Sequence, residues 1–238
     1  MINHLGLDAF DDVQRLIVVA AHPDDLETIC GGTIARLAQR GVTVFSVNCT
    51  LGDIGTQDSS ATRPALATTR LVEAEEAAAT LGIQRVWSLG HHDGELVADL
   101  ELRAQIAREY RATQADTLVT FDPFWPGQVH PDHRAAGQAA LDAYMPSKMP
   151  LYRPEQLRDP GASLGCIQRV FLFSTARDPD VWVDVSEVYD LKLAACMAHR
   201  SQFPNGRESL EWMQRMDEER GEAIGVQRAE AFRRMEVW

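Results

Sequence analysis

The run Leu16-Ile17-Val18-Val19-Ala20 is apolar at every position and β-branched at three of them. A strand with one wet face would alternate apolar and polar residues, so this one reads as buried on both faces, as in a parallel sheet covered by helices. The next hundred residues repeat the theme. Gly31-Gly32 reads as the opening of a helix with Ile34, Leu37 and Ala38 on one face, ended by Gly41. Residues 42–49 form a second β-branched strand. Pro64 fits the first turn of a helix that Gly82 stops. A third strand follows at 85–89, a helix at 99–113, a fourth strand at 117–121 and a helix at 134–144.

Strand and helix in alternation mean βαβ units with right-handed crossovers. The fold class is therefore α/β, a Rossmann-like, mostly parallel sheet flanked by helices. Past residue 145 the pattern loosens. Residues 146–165 are rich in Pro and Gly, 169–173 and 181–185 read as strands, Ser186 is a candidate N-cap for a helix to about 199, and 207–220 reads as a surface helix. The expectation is a single domain over 1–238, with a βαβ core at 1–145 and a smaller, irregular C-terminal portion at 146–238 that completes the substrate pocket.

Composition narrows the partners. Hydrophobic residues make up 45% and charged residues 24%, ordinary for a soluble globular chain. A net charge of −12 argues against nucleic acid and gives no support to an anionic membrane surface. No apolar run approaches the roughly 20 residues that span a bilayer. Acidic residues stand where a signal peptide needs a basic and then an apolar stretch, so a cytoplasmic protein is expected. Four scattered cysteines with no C-x-x-C pair read as buried, reduced thiols. The acidic surface is compatible with a homo-oligomer.

The polar clusters all follow strands: 22–25, 52–55, 91–95 and 122–133. In a parallel sheet those loops share the carboxyl edge, where ligands bind, so they point to one site. Two clusters carry metal-site chemistry, Ala21-His22-Pro23-Asp24-Asp25 and His130-Pro131-Asp132-His133. His22, Asp25 and His133 make a His/Asp/His ligand set with a position left open for water, as in hydrolytic zinc sites. One Zn2+ per chain is the default for such a set, with iron or manganese as other occupants. Asp24 is then a general base beside a metal-activated water or an orienting partner of His22. His130 is placed to stabilise an oxyanion as an imidazolium, with Asp132 holding its ring.

These residues resemble a family. His22-Pro23-Asp24-Asp25 followed by Glu27 and Gly31-Gly32-Thr33, with His130-Pro131-Asp132-His133-Arg134 downstream, is similar to the PIG-L/LmbE-like zinc-dependent N-deacetylases. So are Gly52-Asp53 with Arg70 and Glu73, the stretch from Leu89 to Gly94, Asp184-Val185-Ser186 through Lys192 to His199-Arg200-Ser201-Gln202, and Ala229-Glu230-Ala231-Phe232 near the end. The resemblance implies hydrolysis of an acetamide on an N-acetylglucosamine-type sugar or its conjugate. It carries over His22, Asp25 and His133 as zinc ligands, Asp24 as base and then acid, and His130 with Asp132 at the oxyanion. Arg70 and Asp93 match substrate contacts of sugar-deacetylating members. Gln128 stands where mycothiol-pathway members have a Tyr, and it is a third candidate substrate contact. Residues 123–129, with Trp125, are expected to shape the pocket.

Two other readings stay in view. One is an amidase that releases a larger acid from a thiol-sugar or other conjugate at the same metal. The other is a non-catalytic α/β ligand-binding module, against which the chain lacks both G-x-G-x-x-G and the P-loop pattern.

Overall fold

The apolar run lies at the heart of the molecule. In the computed structural model, which describes residues 4–173 and 179–237, it forms β2 (Arg15–Ala20), with residues 16–20 fully buried. A short β1 (His4–Leu5) precedes it. After β2 come α1 (Asp25–Gln39), β3 (Thr43–Thr50), α2 (Arg63–Leu81), β4 (Arg85–His91), α3 (Leu100–Thr113), β5 (Thr117–Phe121) and α4 (Pro131–Ser147). The remainder contributes β6 (Arg169–Phe173), β7 (Val181–Asp184), α5 (Tyr189–Ala198), α6 (Glu211–Ile224) and β8 (Ala229–Met235).

Among the described residues, eight strands share one sheet in the order β1-β7-β8-β6-β5-β2-β3-β4. The pairings are parallel except at β8, which runs antiparallel between β6 and β7. Helices α1, α2 and α5 pack together, and α3 packs on α4. β3 and β4 extend the sheet to one side of β2 while β5 lies on the other. The winding therefore reverses between β2 and β5, which opens a crevice beyond their carboxyl ends. Register sets Leu16 against Thr117 and Val19 against Thr120, so the two strands end level and deliver their loops to that crevice together.

Several elements differ from the sequence pattern for definite reasons. α1 opens at Asp25, not at Gly31-Gly32. The glycines are needed for close packing: a Cβ on Gly32 would come within 2.6 Å of Val185 Cβ. α4 begins at Pro131, with His130 as its N-cap, so the second His motif is the first turn of a helix. Ser186 does not cap a long helix. Asp184 Oδ1 accepts its N–H at 2.9 Å, and a 3-10 turn (Ser186–Val188) leads into α5. β8 carries no strand signal, because Ala-Glu-Ala-Phe-Arg-Arg-Met lacks β-branched residues and buries a glutamate. Among the described residues no helix is long and apolar enough to cross a membrane.

Candidate metal centre and active site

The turn from β2 into α1 is built by Asp25. Its Oδ2 accepts the N–H of Ala21 at 3.0 Å and of His22 at 2.7 Å, which folds the chain back on itself. The turn forces Asp24 to φ 146°, a region L-residues rarely adopt and one that marks functional sites when packing enforces it. Across the crevice, α4 orders the second motif. His130 Nδ1 accepts the Asp132 N–H at 3.2 Å. The His133 ring is stacked between Phe121, at 4.0 Å between centroids, and His130, at 4.5 Å.

These two turns bring His22, Asp25 and His133 together. His133 Nε2 lies 3.3 Å from His22 Nδ1 and 3.3 Å from Asp25 Oδ1, and His22 Nδ1 lies 3.4 Å from Asp25 Oδ2. Tetrahedral coordination with bonds of about 2.0–2.1 Å sets donors about 3.3–3.4 Å apart, which matches the His22–His133 and His133–Asp25 Oδ1 separations, while Asp25 Oδ2 is taken by the backbone N–H groups of Ala21 and His22. Two overlapping groups also converge within 4.8 Å, His22 with His130 and His133, and His22 with Asp93 and Asp132. In each, one added residue already has an engaged ligand atom. His130 Nδ1 is taken by the helix N-terminus, and Asp132 accepts Gly94 N–H at 2.6 Å and Leu96 N–H at 3.2 Å.

The remaining carboxylates face the back of His22. Its Nε2 is 3.0 Å from Asp93 Oδ1 and 3.4 Å from Asp132 Oδ2, as ion contacts. A ligand histidine needs such a partner on its other nitrogen to fix the ring. Without a bound cation the burial of His22 would lower its pKa, but Asp25, Asp132 and Asp93 outweigh burial and push it up to about 12. Burial likewise opposes ionisation of Asp25, yet His133 and His22 hold its carboxyl well below the usual range. Carboxylates surround the two imidazoles, and this His/Asp donor set fits a divalent cation.

Asp24 is set apart from those three residues. Its Oδ1 is 3.0 Å from Arg70 Nη2, and burial, opposed by Arg70, raises its carboxyl above the ordinary value. Arg70 is itself 2% exposed, donating to the carbonyls of Gly52 at 3.0 Å and Pro23 at 2.7 Å. Beneath Asp24, buried His199 Nε2 lies 3.5 Å from Glu27 Oε2.

Three expected arrangements differ. The Asp132 carboxylate does not hold the His130 ring, because the backbone N–H groups of Gly94 and Leu96 and His22 occupy it. With Nδ1 accepting, the ring proton of a neutral His130 sits on Nε2. Burial, then the neighbouring His133 and His22, hold its pKa below the ordinary value, which favours a neutral donor over an imidazolium. The candidate substrate contacts face inward: Arg70 towards Asp24, Asp93 towards His22, and Gln128 Oε1 3.2 Å from His133 Nδ1. The sequence carries little signal for Gln128 as a partner of His133, because a five-residue separation through an irregular loop predicts no contact.

Comparison with known proteins bears on this geometry. A family model described as PIG-L, GlcNAc-PI de-N-acetylase, matches residues 17–144, from within β2 to within α4. The diacetylchitobiose deacetylase of Thermococcus kodakarensis is 34% identical over 197 residues, 83% of this chain and 73% of that protein. A probable N-acetyl-alpha-D-glucosaminyl L-malate deacetylase 2 of Bacillus cereus is 33% identical over 200 residues, 79% of this chain and 84% of that protein. The solved structure of N,N'-diacetylchitobiose deacetylase from Pyrococcus horikoshii superposes with a TM-score of 0.88 at 34% identity, covering 95% of this chain and 85% of that one. The chain belongs to the PIG-L family and is an enzyme of the N-deacetylase class.

Proposed function

We propose that this protein is a zinc-dependent hydrolase that removes the acetyl group from an N-acetylglucosamine-type amino sugar or its conjugate. The observation that carries the reading is the convergence of His22 Nδ1, His133 Nε2 and the Asp25 carboxylate, in contact at 3.3–3.4 Å, with the Asp24 carboxylate beside them. The names of its relatives, a diacetylchitobiose deacetylase and a GlcNAc-malate deacetylase, supply the substrate class. His22, Asp25 and His133 would hold one cation per chain. Bound there, a zinc-class ion supplies Lewis acidity that polarises a carbonyl oxygen and makes water more acidic.

The other roles belong to the chain. Asp24 takes the proton of the attacking water and returns it to the leaving amine, for which a buried carboxyl with a raised pKa is suited. Arg70 limits that rise and fixes the rotamer of Asp24. His130 offers its Nε2–H to the developing oxyanion, and Asp132 keeps the Gly94 turn and His22 in place. Asp93 and Gln128 hold the rings of His22 and His133. On this reading those duties come before any contact of Arg70, Asp93 and Gln128 with the sugar. The products are acetate and a free amine.

The test is release of acetate and amine from free N-acetylglucosamine and from its glycosyl, inositol and malate conjugates, with and without chelator. Chelator-sensitive acetate is expected. A larger acid would favour the amidase reading at the same centre.

A further inference from the structure

We propose that the turn at residues 199–202, which follows α5, is a positioning device for Asp24, holding it through Arg70 on one side and through Glu27 on the other. The proposal rests on the deacetylase reading, in which Asp24 is the base. Asp24 needs such support. Its backbone stands at φ 146°, and strain of this kind persists only where the surroundings enforce it. Its carbonyl accepts the Thr28 N–H at 3.1 Å and the Thr28 hydroxyl at 3.0 Å. A single nitrogen, Arg70 Nη2, lies 2.7 Å from Pro23 O and 3.0 Å from Asp24 Oδ1. It therefore fixes the peptide before the base together with the carboxylate.

Arg70 is held in turn by the loop at 52–55, and that loop by Gln202. Gly52 O accepts Arg70 Nη1 at 3.0 Å and the Gly55 N–H at 3.3 Å. The guanidinium lies directly against both glycines, since a Cβ on either would collide with it. Gly55 O accepts Gln202 Nε2 at 3.0 Å. Ser201 pins the 199–202 turn to α2, where its N–H and hydroxyl donate to the two carboxylate oxygens of Glu73 at 2.9 and 2.6 Å. Glu73 stands one helical turn from Arg70, and both are buried. The turn itself is closed by the Gln202 N–H, which donates to His199 O at 3.0 Å.

His199 supports the base from the other side. Asp24 and Glu27 stand three residues apart at the start of α1, and both are carboxylates. Glu27 is buried, and among the described residues its ion contact is with His199 Nε2 at 3.5 Å. The His199 ring is fully buried and neither of its nitrogens has a hydrogen bond among the described residues, so this contact is its polar link to α1. Burial would lower the His199 pKa, but Glu27 and then Asp24 outweigh it and raise it, which favours the cation. Two neighbouring carboxylates thus meet two cations, Arg70 and His199. None of these bonds runs to a ligand atom of His22, Asp25 or His133, so the turn can act on the base and leave metal binding alone.

The test measures kcat, KM and bound divalent metal, with acetate release from an N-acetylglucosamine conjugate as the reaction. Gln202→Met, similar in volume but without the amide, should lower kcat about ten- to a hundredfold, with KM within about twofold and one ion per chain. In the Asp24→Ala background the same substitution should cost nothing further, because the residue it acts through is gone. His199→Gln, which keeps a donor towards Glu27, should retain more of kcat than His199→Leu. If Gln202→Met fails to fold, Ser201→Thr and Ser201→Ala replace it: the first keeps the hydroxyl bond to Glu73 and should keep kcat, and the second should lower it. Unchanged kcat in Gln202→Met, a loss repeated in full without Asp24, a raised KM at normal kcat, or equal rates within the His199 or the Ser201 pair would overturn the positioning role alone. No acetate from any such conjugate with the unmodified protein would overturn the deacetylase reading and the positioning role with it.

Discussion

Two buried polar clusters flank α1, and they are built on opposite terms. Beside its second turn, Lys192 Nζ lies 2.6 Å from Asp217 Oδ2 and 2.8 Å from Glu230 Oε1. Glu230 also accepts the N–H groups of Gly32 and Thr33, Tyr189 donates to Asp217, and Arg220 stands 3.7 Å from Asp217. Two cations meet two carboxylates there, and the cluster closes on itself. At the start of α1, Asp24, Asp25, Asp93 and Asp132 gather with three histidines and one guanidinium, that of Arg70. This second cluster carries surplus negative charge, which a divalent cation would offset. A closed cluster anchors the C-terminal elements to α1. An unbalanced one in a crevice is arranged for a ligand.

The largest expected effect separates the proposed proton carrier from the proposed ligands. Asp24→Ala should lower kcat by about 10²–10⁴-fold, the range for a positioned general base, while the protein still binds one divalent ion. Near-normal turnover would remove Asp24 from the mechanism.

Lys192→Met addresses the closed cluster. It leaves two buried carboxylates without their shared cation, which should cost about 3–5 kcal/mol in chemical denaturation. Burial alone would lower the Lys192 pKa, but Glu230 and Asp217 outweigh it and raise it, so the ammonium is the form that folds. The metal content of the folded fraction should be unaffected. A variant of ordinary stability would mean that the cluster contributes no anchorage.

A smaller effect is expected at Asp53, whose side chain is 1% exposed. Burial would raise this carboxyl, but the Asp93 N–H, His92 and Arg63 outweigh it and hold it below the ordinary value. A depressed folded-state pKa stabilises above the unfolded value of about 3.9 and stops doing so as pH falls through the folded one. Asp53→Asn should therefore cost about 1–3 kcal/mol near neutral pH, with the difference from the unmodified protein shrinking below about pH 4. A penalty independent of pH would show that shape, not charge, holds the 93–95 turn.

The same contrast explains what was legible in the sequence. The continuous run at 16–20 and the alternation after it specify the winding of β2 to β5, because burial on both faces imposes hydrophobic continuity that no distant residue modifies. The His22 and His130 motifs are local turns and so carry their own geometry. Lys192 and Glu230 stand in stretches that match the family pattern, but their meeting with Asp217 is not legible, since it comes about only through tertiary contact. Glu230 also hid β8, and Gly31-Gly32 looked like a helix start because their close neighbour, Val185, lies far along the chain. The partners of Asp132 are hidden for a similar reason: His130 is near in sequence, but the N–H groups of Gly94 and Leu96 hold it in space.

The decisive experiment is the divalent-metal content of the purified protein and of Asp25→Ala, with acetate release from an N-acetylglucosamine conjugate measured on the same samples before and after chelation. One ion per chain is predicted, absent in Asp25→Ala, with acetate release lost on chelation and restored by zinc. Full acetate release from metal-stripped protein, or an Asp25→Ala variant that keeps its ion, would contradict the account.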